Sequence, residues 1–158
     1  MRQLHSLAFA FAVAFATASP GLAAGKGQPE LPPTETSGEI VFPGVCGFDV
    51  IFTLDGKGAT ITVPRDRLIV IAPGLKVTAT NAANPANSVV LNSTGVFHQF
   101  TENGNAVTVV TGRNILFDPF AGLVLAIGTF RFAFDANGNL VEPLNGTGQL
   151  VDICALIQ

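Results

Sequence analysis

Tryptophan and tyrosine are both absent, methionine occurs once, and charged side chains make up 12% of the chain. Each shortage excludes something. Sugar-binding faces and adhesive paratopes favour aromatics with a polar handle, and the 13 phenylalanines carry none. Charge stands at about half the usual share. With Arg2 set aside, seven basic side chains remain against eleven acidic ones. Nucleic-acid binding requires a basic stripe that neutralises phosphates, and none exists. A basic helix lying on a membrane is excluded for the same reason. So little charge also predicts that part of the surface is covered by a partner or by a second copy of the chain.

Cysteine is scarce too, and here the scarcity is informative. Cys46 and Cys154 are the two cysteines. Met1–His5 carries Arg2, Leu7–Ala18 is apolar, and Ser19-Pro20-Gly21-Leu22-Ala23-Ala24 closes the segment with small residues. A charged start, a short apolar middle and a small-residue exit read as a secretory signal over residues 1–24, with cleavage after Ala23 or Ala24. The apolar run falls short of the about 20 residues a membrane helix needs. No second run could span a bilayer, so no membrane span is expected in the mature chain. An exported chain meets oxidising conditions, and one disulfide, Cys46–Cys154, is expected. The expected location is extracellular.

Residues 25–39, GKGQPELPPTETSGE, hold Pro, Gly and polar residues without an apolar period. They read as an extended spacer. Residues 40–158 form the expected single domain, long enough to bury a core. Its punctuation is regular, with β-branched or aromatic runs between Asp55-Gly56-Lys57-Gly58, Glu102-Asn103-Gly104-Asn105 and Ala136-Asn137-Gly138-Asn139. Gly and Asn supply the positive φ that tight hairpins require. No helical period is sustained beyond the leader. The expected fold is all-β: an antiparallel barrel of about eight to ten short strands, its seam closed by the disulfide, with a β-sandwich as the alternative.

Alternation places Phe130, Phe132 and Phe134 on one strand face, with Arg131 on the other. Leu123, Val124, Leu125 and Ile127 are apolar on both faces, so something must cover the outer one; self-association or a flanking loop is expected. At an offset of 46 residues Val50, Gly58, Thr62-Val63, Arg67 and Ile69 recur as Val96, Gly104, Thr108-Val109, Arg113 and Ile115. That echo predicts two equivalent units or a coincidence of composition.

The catalytic inventory is thin. His98 is the one histidine of the mature chain, on a strand between Val96 and Phe100, and reads as a core or pocket-wall residue. Ser37, Ser88 and Ser93 sit in no nucleophile elbow. Asp49, Asp118 and Asp152 show no spacing that singles out a pair. With the cysteines paired, no metal cluster of His and Cys is available. Neither a metal nor a cofactor is expected. Asp135, Asn137 and Asn139 alternate like the opening of a calcium loop, but Leu140 stands where Gly is required, so a turn is expected.

Phe134-Asp135-Ala136-Asn137-Gly138-Asn139-Leu140 resembles the core of the tyrosine–aspartate repeats, YDxxGNL, with Phe134 for Tyr; the resemblance implies a β-hairpin turn. Over Gly112–Ile157, the TGRN segment, the FDANGNL turn and the closing GQLVDICALI are similar to small secreted proteins of actinomycete type. This resemblance implies export and β structure, and brings no activity and no site residues.

Two functional readings follow. The first is a secreted non-enzymatic β protein binding an apolar small molecule, or packing on an envelope partner or another copy of itself. Its candidate pocket is His98, Arg131, Phe130, Phe132 and Phe134. The rival is a small barrel enzyme, isomerase- or cyclase-like, with His98 and a carboxylate in a pocket.

Overall fold

The computed structural model describes residues 34–63 and 67–158. The expected signal and residues 25–33 of the expected spacer lie outside them. Among the described residues, nine antiparallel strands form one sheet, in the order β5-β4-β2-β3-β6-β7-β8-β9 with β1 on β2. They are β1 (Thr34–Phe42), β2 (Val50–Val63), β3 (Arg67–Ile71), β4 (Lys76–Asn81), β5 (Ser88–Asn92), β6 (Val96–Glu102), β7 (Asn105–Asp118), β8 (Gly122–Phe134) and β9 (Leu140–Asp152). A short helix, α1 (Ile153–Leu156), follows.

Several expected boundaries move. Thr34–Glu39, read as the end of the spacer, pairs with β2 from Thr34↔Gly58 to Glu39↔Thr53. The Asp55–Gly58 turn does not form, and one strand runs through it from Val50 to Val63. Pairing with β1 on one edge and with β4 on the other holds Asp55 extended. Gly56 stays useful there: a Cβ on it would lie 2.6 Å from the Leu75 Cα. Gly128 lies within β8, which runs unbroken from Gly122 to Phe134. The 46-residue echo marks no equivalent units, since Gly58 lies within β2 while Gly104 occupies the β6–β7 turn with φ +80°.

The sheet folds over on itself. The inner face of β2, β4 and β5 presents Val50, Phe52, Val77, Ala79 and Leu91. Those residues pack against Leu123 and Leu125 of β8, which sits far along the strand order. The opposite face of β8, through Val124, Ala126 and Phe130, clusters with Val110 and Leu116 of β7. The chain itself therefore covers both faces of this greasy strand. Gly112, Gly128 and Gly148 face one another across β7, β8 and β9. That row carries no side chains, and Gly95 comes within 3.2 Å of where a Gly112 Cβ would stand.

The sheet is not closed. Cys46, in the segment between β1 and β2, is bonded to Cys154 of α1, with Cα atoms 5.3 Å apart. The disulfide forms as expected, but between a loop and a helix rather than between two strands. Where a barrel would close its seam with a ladder, this fold uses a covalent tie and the packing of Ile153 and Ile157 in the core.

Candidate functional site

The fold leaves an apolar cavity of about 650 Å³ between its layers. Strand alternation turns Ile40 and Phe42 of β1 to the same side as Phe52 and Leu54 of β2, as their register requires. Leu75 and Val77 continue that wall, while Phe97, Gln99, Ile115 and Phe117 of β6 and β7 come from the other side. Val41 and Phe117 are 53% and 45% exposed, which places them at the mouth.

Its polar groups are few. Thr36, Ser93, Gln99 and Asn114 are uncharged, and among the described residues Lys57 is the one charged residue of the lining. Asn114 is buried, and its amide Nδ2 donates to the Thr111 carbonyl at 3.0 Å. Lys57 Nζ stands 3.2 Å from Glu35 Oε1. A cavity of this size with a largely hydrophobic lining and a few polar anchors has the form of a small-molecule site.

The five residues expected to form a pocket are not brought together. His98 pairs with Ile69 and Val109, and Val109 with Arg131, so His98 and Arg131 share a sheet face. Phe130 and Phe132 fall on the opposite face by alternation. Phe130 is buried in the core, while Phe132 and Phe134 border a neighbouring space of about 50 Å³. None of the five lines the large cavity. Arg131 instead clamps three strands: its Nε donates to both Glu142 oxygens at 2.9 Å, and its Nη2 to Glu102. Its guanidinium also lies 5.9 Å from the Phe100 ring centre. The hydrogen bonds to Glu102, and then to Glu142, push its pKa above the ordinary value.

The Asp135 turn consumes its own oxygens. Oδ1 accepts from the Asn137 and Asn139 amides at 2.9 and 2.8 Å, and Oδ2 from Asn139 Nδ2 at 2.8 Å. Hydrogen bonds from the Asn139 side chain and backbone hold the carboxyl below its usual range. Among the described residues, no group of three or more His, Cys, Asp or Glu is placed to hold a metal.

No helix among the described residues is long and apolar enough to cross a membrane. No family model matches the chain, and no curated protein and no solved structure matches it either.

Proposed function

We propose that this is an exported, non-enzymatic binding protein that carries an apolar small molecule in the cavity between its layers. The observation that carries the reading is the cavity itself: about 650 Å³ with Phe, Leu, Ile and Val dominating the wall. An apolar guest gains by leaving water, at roughly 25 cal/mol per Å² of apolar surface buried. Among the described residues the lining offers no histidine and no carboxylate to act as base or acid on such a guest. The leader over residues 1–24, the disulfide and the resemblance over Gly112–Ile157 support export. Native mass spectrometry of the exported protein, followed by solvent extraction, tests the reading. A bound apolar mass that extracts, or uptake of an added lipophile at one per chain, is expected. A protein that carries nothing and takes up nothing refutes it.

A second reading rests on β9. It is an edge strand of 13 residues that pairs with β8 alone among the described residues, and its Val141 and Leu150 are exposed. Such an edge can add a strand from another copy or from an envelope partner. Concentration-dependent association in sedimentation is expected on that reading, and a strictly monomeric protein would oppose self-pairing.

A further inference from the structure

Charge along the cavity narrows the guest further, on the premise that the cavity binds one. Among the described residues Lys57 is the one charged residue bordering the cavity, and its side chain alternates to the face of β2 opposite Phe52 and Leu54, where it is exposed and meets Glu35 at 3.2 Å. Lys57 reaches this position because β2 continues through it opposite Glu35 of β1. A carboxylate, sulfonate or phosphate entering the site would have to give up its water without a free cation to receive it, and a buried charge without a partner is strongly disfavoured. A guest cation fares no better, since no acidic residue lines the cavity among the described residues.

Uncharged hydrogen-bonding groups are present. Gln99, Ser93, Thr36 and Asn114 can meet a hydroxyl or a carbonyl, with amide and hydroxyl groups serving as donors and acceptors alike. The volume equals about twenty water molecules at roughly 30 Å³ each. We infer that the cavity selects a neutral lipophile, an apolar body of on the order of twenty non-hydrogen atoms bearing an alcohol or carbonyl group, because no charged side chain of the described residues turns into it.

Two fluorescent probes of nearly the same shape test this: N-phenyl-1-naphthylamine, which is neutral, and its sulfonated counterpart 8-anilinonaphthalene-1-sulfonate. Both are titrated at low ionic strength into the wild-type chain. The neutral probe should bind at least tenfold more tightly to the wild type. If neither probe binds, the cavity reading itself fails. If the sulfonate binds the wild type as well as the amine does, the cavity stands and the selectivity is refuted.

Discussion

Gln99 borders the cavity and His98 lies on the other face of β6, because successive residues of a strand alternate sides. One position of register thus decides which of two polar neighbours can touch a guest. Asp135 shows the same economy at a turn, where one carboxylate caps three donors. Because those bonds lower its folded pKa, their stabilising effect is present above about 3.9, the unfolded value, and is lost as pH falls through the lower folded value. Thermal unfolding followed from pH 5 downward should show the wild type losing Tm below pH 4. Asp135→Ala should start from a lower Tm and lose less over the same interval. Parallel curves for the two proteins would contradict this role for Asp135.

Among elements, the long strands depend on glycines in unusual places. Gly128 has φ +141°, and a Cβ there would stand 2.2 Å from the Thr147 carbonyl oxygen, which belongs to the neighbouring ladder and cannot step aside. Gly128→Ala should cost about 2 to 4 kcal/mol in urea unfolding, from strain and a displaced β9. A change under 0.5 kcal/mol would show that the strands part there easily.

The same glycines explain what could be read from sequence. Glu102–Asn105 and Ala136–Asn139 were recognisable turns because Asn103, Gly104 and Gly138 take the positive φ that a hairpin demands. Asp55–Gly58 carries the same chemistry, yet strands on both edges of β2 override it. Local preference is a weak guide once ladders form on both sides. Alternation correctly separated Phe130 and Phe132 from Arg131, and the double-sided burial of Leu123–Ile127 was plain. Which face would meet a cavity was not, because that depends on where a sheet folds over. Neither Leu54 nor Leu75 differs in local pattern from an ordinary core leucine.

At the scale of the whole molecule, the open sheet is held by a tie spanning 108 residues of sequence, Cys46–Cys154. Chain-entropy reasoning assigns such a loop about 4 to 5 kcal/mol. Cys46→Ser should lower unfolding free energy by up to that amount while strand content by circular dichroism stays the same. A loss below about 1 kcal/mol would mean that Ile153 and Ile157 hold α1 on the core without the bond.

The central claim is that the space between the layers receives a guest, and one titration tests it. Leu54 lines the cavity and is half-buried, so Leu54→Trp adds bulk where the space lies rather than where the core is tight. N-phenyl-1-naphthylamine should bind the wild type at one site per chain. Binding should weaken at least tenfold in Leu54→Trp with an unchanged Tm, and should be unaffected in His98→Ala, whose side chain lies outside the cavity. Full binding by Leu54→Trp, or its loss in His98→Ala with the fold intact, would contradict the account.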